Sequence, residues 1–457
     1  WGESVFGAGA VPDSLMLDGV YTGFCDIPRG VTAEHVSLMY HVVPPSRGEI
    51  YSRIWFATED SPDLLLVKYL NNHPGWHDSL ISSYVVTVND TALPFTVRFV
   101  DSVQTVRHRP RKGYFSIFQP AGVEALVTGA EGNWYRLQLS KTQTAWAHKD
   151  AVEPLPHGIL PPVSYLSVVR FESSPNALTV QFPLSGKHPY RIIEEDPRTI
   201  RIQLFGVTSD TDWIRYNSSD ELVSLATWSQ PEEGLYEVKL ILSQDLWGYD
   251  GYYEGNTFYF RLNRPPSNLR SLKGKRIVVD PGHSADPGAI GPTGLTEAEA
   301  NLMIALQLKK RLESKGALVI MTRDDASHVA LYDRPAIANA NNADLFVSIH
   351  NNALPDGVNP FVNNGSSTYY YHPHSIKLAR AIQKEMVQSV RLGDYGLYHG
   401  NLAVNRPTQY PAVLVECAFM ILPEQEAMLK TEKFQKKVAK AICKGIENFL
   451  KGYSDGR

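Results

Sequence analysis

Disulfide chemistry is nearly excluded by count: the chain of 457 residues has three cysteines, Cys25, Cys417 and Cys443, an odd and sparse set that allows at most one bridge. Cys417 stands inside an apolar run, the setting of a buried, inert thiol rather than of a nucleophile. Positive charge is not in excess either. With 44 basic against 48 acidic residues the net charge is -4, so no global field attracts nucleic acid or an anionic lipid surface, and no nucleic-acid partner is expected. No stretch approaches the roughly 20 consecutive apolar residues of a membrane-spanning helix, so a soluble protein without a transmembrane segment is expected. The chain opens on Trp1, without an initiator Met or an apolar export segment, which suggests a processed or shortened chain. What is present is ordinary globular composition, 43% hydrophobic and 20% charged, and at this length roughly three or four domains are expected.

The pattern along the chain predicts a multidomain protein, with β-rich modules in residues 1–265 followed by an α/β domain. From about residue 36 to 263, short alternating apolar runs are separated by turn residues and helix signals are scarce. In residues 1–100, a β-rich segment of no recognisable type, Phe95, Val97 and Phe99 alternate with Thr96 and Arg98 after Tyr84–Val88 and the Asn89-Asp90 turn signal, which reads as a hairpin. Trp55 and Trp76 read as core aromatics. Residues 102–153 carry Val123–Gly129, Asn133–Leu137 and Trp146–Val152 at the spacing of short barrel strands, and resemble the bacterial Src-homology-like barrel. That resemblance implies a wall-binding role for Trp134 and Trp146, which could equally fill a small core. Pro154 to Pro162 marks a linker. In residues 163–265 the runs Leu178-Val180-Phe182, Ile200-Ile202-Leu204, Tyr236-Val238-Leu240-Leu242 and Phe258-Phe260-Leu262 alternate as sandwich strands do, and the segment weakly resembles the amidase N-terminal domain. Residues 272–453 change period: compact apolar strands alternate with long helical segments, which predicts a mainly parallel central sheet.

The chemistry-bearing residues lie in this last part. Arg276–Asp280 runs into Pro281-Gly282-His283, Leu345–Ile349 into His350, and Ala412–Val415 into Glu416. Ligands of open α/β sheets bind beyond the carboxyl ends of the strands, so the three segments are expected to converge on one crevice. Thr296-Glu-Ala-Glu299 has the form of a capping box, so a helix should start at Glu297, present Leu302, Ala305, Leu308 and Leu312 to the core, and stop at Gly316. Glu297 then falls in the first turn, on the side of the sheet that carries His283. Two imidazoles and a carboxylate suit Zn2+ with a fourth position open to water. Zinc lowers the water pKa from about 15.7 to about 7 and polarises a carbonyl. A second carboxylate must carry the proton to the leaving amine, and Glu416, directly after Ala-Val-Leu-Val, is an expensive charge that needs a partner or a task. His372-Pro-His374 could form a rival metal pair, but the intervening proline and the Tyr-rich surroundings favour a loop.

Five motifs then occur in register: Val279–His283, Asp286–Glu297, Thr322–Asp325, Ala343–Asn352 and Pro411–Glu416. Over about residues 275–450 the chain resembles zinc-dependent N-acetylmuramoyl-L-alanine amidases of the AmiC and CwlV type. The resemblance implies that His283, Glu297 and His350 are zinc ligands and Glu416 the catalytic glutamate, and that Arg406, beside Asn405, binds a stem-peptide carboxylate unless it forms a structural ion pair. Two departures, Ser284-Ala285 after the first ligand and Cys417-Ala418 before Phe419, leave the ligand set intact. The interval from His350 to Ser367 is too short for the long inserted helix that blocks the zinc in some division amidases until an activator moves it.

The expected function is hydrolysis of the amide between N-acetylmuramic acid and L-alanine of peptidoglycan, by a monomer in the periplasm or outside the cell at the wall, with a protein activator as a further partner. A zinc peptidase acting within the stem peptide and an inactive wall-binding scaffold are the rival readings.

Overall fold

The computed structural model describes residues 36–42, 52–58 and 61–67 as backbone strands, and residues 94–100, 104–110, 112–156, 158–216, 219–354 and 359–455. Cys25, Trp76, Tyr84–Val88 and Asn89-Asp90 lie outside the described residues, as does the side chain of Trp55, and with them lie the first strand and turn of the expected hairpin and both expected core tryptophans. The chain divides into two compact units, residues 1–96 with 127–129 and 155–159, and residues 97–126, 130–154 and 160–457. In the first, Val36–Val42, Ser52–Thr58 and Ser61–Val67 form an antiparallel three-stranded sheet.

In the second unit, Trp134–Gln138 pairs antiparallel with Thr144–His148, and Val152–Pro154 pairs antiparallel with Val97–Phe99. Ala145 and Ala147 fill the interior here, while Trp134 and Trp146 are only half-buried. The Trp134 ring meets His148 edge-on at 5.1 Å and lies under the Arg107 guanidinium at 5.3 Å.

Residues 164–263 form two sheets face to face. One is ordered Val207–Arg215, Ser164–Ser173, Ala177–Phe182, Thr257–Asn263, Gly248–Glu254, and the other Tyr190–Asp196, Thr199–Phe205, Leu235–Leu242, Val223–Glu232. The alternating residues expected to point inward do so: Val180, Phe182, Ile200, Ile202, Leu204, Tyr236, Val238, Leu240, Phe258, Phe260 and Leu262 are sealed into one cluster, because a period of two puts every second side chain on the same face.

In the C-terminal part, the strands are β1 (Arg276–Pro281), β2 (Leu318–Met321), β3 (Leu345–Asn352), β4 (Ser366–Tyr370), β5 (Asp394–His399) and β6 (Ala412–Phe419). The helices are α1 (Glu297–Glu313), α2 (Asp333–Ala340), α3 (Ile376–Val390), α4 (Pro423–Leu429) and α5 (Glu432–Asp455). The sheet runs β2-β1-β3-β6-β4-β5. The first four strands are mutually parallel, and β4 and β5 run against them. Ile277, Val279, Val347, Ile349, Val413, Val415 and Cys417 face one core with α1, α3 and α5. Val278, Phe346, Ala412 and Leu414 face a smaller cluster with Ala338 of α2, Val404 and Tyr410. By the same alternation Asp280, Ser348, His350 and Glu416 belong to that second face, which gathers the polar groups of three strands at their carboxyl ends.

The helix expectation is met at both ends and adjusted in between. Thr296 caps α1 through the Glu299 amide and Glu299 returns the bond, while Gly316, at φ 83°, follows the last turn. Ala305, Leu308 and Leu312 are fully buried as expected, while Leu302 is only half-buried and Ile304, fully buried, takes the inward position in that turn. Burying the three larger side chains stabilises the packing by about 1.5–3 kcal/mol each. Cys417 and Cys443 are free, buried thiols whose ionisation burial disfavours, as expected of inert cysteines.

The sandwich also packs on this α/β part. Trp247, 3% exposed, enters its main core against Phe449 and Tyr453, with ring centroids 5.6 and 5.2 Å away.

Candidate metal centre and active site

His283, Glu297 and His350 come together. Each presents one donor atom and the three atoms lie within 4.8 Å of one another. The Glu297 carboxylate is central: Oε2 is 3.1 Å from His283 Nε2 and Oε1 is 2.8 Å from His350 Nδ1. These are hydrogen-bond spacings through the two carboxylate oxygens, and they gather one donor atom from each side chain within reach of a single ion. Two imidazoles and a carboxylate are moreover the borderline donor set that zinc prefers over calcium or magnesium. The residues therefore fit the metal expected from the sequence.

Three elements deliver these side chains. β1 ends at Pro281, and His283 adopts φ 58°, a left-handed conformation in which a non-glycine residue is uncommon. Two buried arginines hold that turn. Arg334 donates to Pro281 O at 2.7 Å and His283 O at 2.8 Å while pairing with Asp280 at 2.7 Å. Arg323 donates to Pro281 O and Gly282 O, both at 3.0 Å. Asp280 also accepts from Thr322 and Ser348, both at 2.6 Å, so its buried charge is fully partnered. Glu297 arrives as the first residue of α1, and the loop before it is pinned by the Glu426 carboxylate, which accepts from the amides of Thr293 and Leu295. His350 lies inside β3, and the ladder pairs it with Glu416 of β6.

That register corrects one expectation. His350 and Glu416 are not beyond their strand ends, since β3 continues to Asn352 and β6 through Cys417 and Ala418 to Phe419. The consequence is favourable for chemistry, because paired residues on neighbouring strands project side by side. Glu416 is half-buried as a residue, but its Oε2 is sealed from solvent and has no hydrogen-bond partner. Burial pushes its carboxyl up to about 7 against the opposing pull of the two imidazoles. Burial alone would also raise Glu297, yet its bonds to His283 and His350 hold it well below the usual carboxylate range. The same bond to Glu297, with help from Asp286, lifts His283 to about 9 in the metal-free protein.

Sequence reasoning assigned no role to the residues around the donors. Asp286 Oδ2 lies 2.8 Å from His283 Nδ1, which directs the other ring nitrogen at the centre. Ala289 N donates to Glu297 Oε2 at 3.2 Å and Asn351 N to Oε1 at 3.3 Å. Asn301 Nδ2 donates to Gly282 O at 3.1 Å, and Asn351 Nδ2 to Asn301 Oδ1 at 2.8 Å. Asn301, one turn after Glu297 on a buried helix face, was the one detectable signal, since a fully buried amide in an apolar stripe needs a polar neighbour.

Arg406 stands apart from this cluster of donors. It follows the short turn Ala403–Asn405 before β6, and its Nε donates to Asn401 Oδ1 at 2.8 Å. The His372-Pro-His374 segment is a turn, as expected, with both imidazoles directed at Glu194 of the sandwich.

The N-acetylmuramoyl-L-alanine amidase profile matches residues 277–448, the span that builds this centre. The uncharacterised protein YqiI of Bacillus subtilis is 36% identical over 183 residues, 39% of this chain and 86% of YqiI. The probable cell wall amidase LytH of Staphylococcus epidermidis is 36% identical over 199 residues, 42% of this chain and 65% of LytH, so the chain spans just under two thirds of that relative. Among solved structures, the amidase AmiC2 of Nostoc punctiforme is 33% identical with a TM-score of 0.37, covering 39% of this chain and 99% of that one. Through residues 277–448 the chain belongs to the N-acetylmuramoyl-L-alanine amidase family.

Proposed function

We propose that residues 272–453 hydrolyse the amide between N-acetylmuramic acid and L-alanine of peptidoglycan at a zinc centre held by His283, Glu297 and His350. The observation that carries the reading is the Glu416 carboxylate in ladder register with His350, with its Oε2 sealed from solvent and without a hydrogen-bond partner. When bound, zinc supplies an acidified water and polarises the scissile carbonyl. Glu416 accepts the proton of the attacking water and gives it to the departing L-alanine nitrogen. In the metal-free protein burial raises its carboxyl above the usual carboxylate range, the direction that suits a group which must both take and return a proton. Asp286, Asn301 and Asn351 orient the donors, while Arg323 and Arg334 hold the turn that aims His283. Arg406 binds a carboxylate of the stem peptide.

The modules expected at residues 1–100, 102–153 and 163–265 hold or localise the enzyme on the wall, outside the cytoplasm in the periplasm or extracellular space. The enzyme acts as a monomer, and a protein activator is a candidate partner.

Mass spectrometry of purified peptidoglycan digested with the zinc-loaded full chain tests the reading. An amidase releases free stem peptides with an L-alanine N-terminus. Stem residues left on the sugar would instead identify a peptidase, and no release at all, with zinc bound, an inactive scaffold.

A further inference from the structure

We infer that Glu194, on the sandwich strand Tyr190–Asp196, is a positioning residue for the amidase site, fixing the 400–411 segment that carries Arg406 and leads into β6. The inference rests on the amidase reading and extends it, because it makes the sandwich part of the catalytic apparatus as well as a tether.

Three donors of the α/β domain converge on this one carboxylate. His374 Nδ1 is 2.9 Å from Oε1, His372 Nδ1 is 3.5 Å from the same oxygen, and the His374 backbone amide donates to Oε2 at 2.9 Å. The Glu194 side chain is 3% exposed and that of His374 is fully buried. Such a charge persists only because its partners are in place. Burial would raise the carboxyl, but the two imidazoles hold it well below the usual range.

The connection continues into the site by two routes. His372 and His374 stack at 5.3 Å, and the far nitrogen of His372, Nε2, lies 2.7 Å from the carbonyl of Arg406. Ser375, in the same short turn as His374, accepts through Oγ from the amide of Ala412, the first residue of the strand that bears Glu416. The sandwich holds the same segment directly, since Tyr249 N donates to Thr408 O at 2.7 Å and Asn263 Nδ2 to Gln409 O at 2.8 Å. Arg406, Thr408 and Gln409 thus have their carbonyls held by the sandwich or by a histidine that it orients. A neutral side chain at position 194 could not satisfy all the donors.

Steady-state kinetics on a soluble disaccharide–stem-peptide substrate, with the zinc-loaded full chain, test this. E194A and, on the other side of the contact, H372F should each raise KM by about tenfold while kcat and zinc content stay within about twofold, and the double variant should be no worse than the more affected single one. E194D should recover part of the loss. K377A removes a different ion pair between the same two parts, Lys377 with Asp245, and should leave KM unchanged. Hydrogen exchange gives a readout that needs no turnover: amides of 400–411 should exchange faster in E194A and H372F, while those of 283–301 keep wild-type protection. An unchanged KM with unchanged exchange in both variants would overturn the inference. So would a parallel fall of kcat and zinc content in E194A with H372F like wild type. If the wild-type chain releases no stem peptide, the amidase reading fails and the exchange experiment still decides the positioning contact.

Discussion

At the scale of single residues, the site keeps one carboxylate charged and makes another reluctant to be so. Glu297 is surrounded by donors, whereas Glu416 has a sealed oxygen with none. Replacing Glu416 by Gln should retain zinc and lower kcat by roughly 10²–10⁴-fold. It should also stabilise the metal-free protein in a pH-dependent way. The folded-state pKa of Glu416, about 7, lies above the ordinary 4.5, so its contribution to stability is complete below pH 4.5 and is lost as pH rises through 7. Thermal unfolding in chelator should therefore show little difference between wild type and variant at pH 4.5 and a higher Tm for the variant at pH 8. His283 gives a second pH signature. Zinc must displace the proton held with a pKa of about 9, so affinity measured by competition should rise about tenfold per pH unit between pH 6 and 8. A pH-independent affinity would remove His283 from the ligand set. His350 and Glu416 stood out because each follows an apolar run and Glu297 because a capping box starts its helix, while the ligand set as a whole was carried by the resemblance of the five motifs. Asp286 and Arg334 did not stand out, because their meaning lies in which carbonyl or ring nitrogen they reach after folding.

At the scale of elements, the centre depends on a tight β1–α1 connection. The left-handed backbone of His283 costs on the order of 1–3 kcal/mol and persists because Arg323 and Arg334 tie down the neighbouring carbonyls. Arg334→Leu should weaken zinc binding by about 10–100-fold and, by leaving Asp280 buried without its partner, destabilise the domain by about 3–5 kcal/mol in urea unfolding. Gly282 is constrained by space rather than by φ, as a Cβ there would overlap the His350 ring. Gly282→Ala should accordingly preserve the far-ultraviolet circular dichroism and lose zinc, whereas full zinc occupancy would show that the loop and ring can separate. The start of α1 was readable from Thr296 and Glu299 because capping is local chemistry. The end of β3 was not, because the pairing of His350 and Asn352 is set by the neighbouring strand and leaves no mark on the local apolar pattern.

Across the whole molecule, the alternation of apolar residues in residues 163–265 announced a sandwich, and its core is built from those residues. Its attachment to the α/β part was hidden, because Trp247, Glu194 and Tyr249 look like ordinary strand and turn residues until their partners near residues 372, 408 and 449 are known. Trp247→Ala, which opens a cavity against Phe449 and Tyr453, should cost about 3–5 kcal/mol in denaturant unfolding, more than an exposed tether residue could. Anomalous diffraction at the zinc edge from crystals of the full chain should give one peak per chain, ligated by His283, Glu297 and His350 and adjacent to Glu416. A chain that holds no zinc there, or holds it at His372 and His374 with Glu194 instead, would contradict the account.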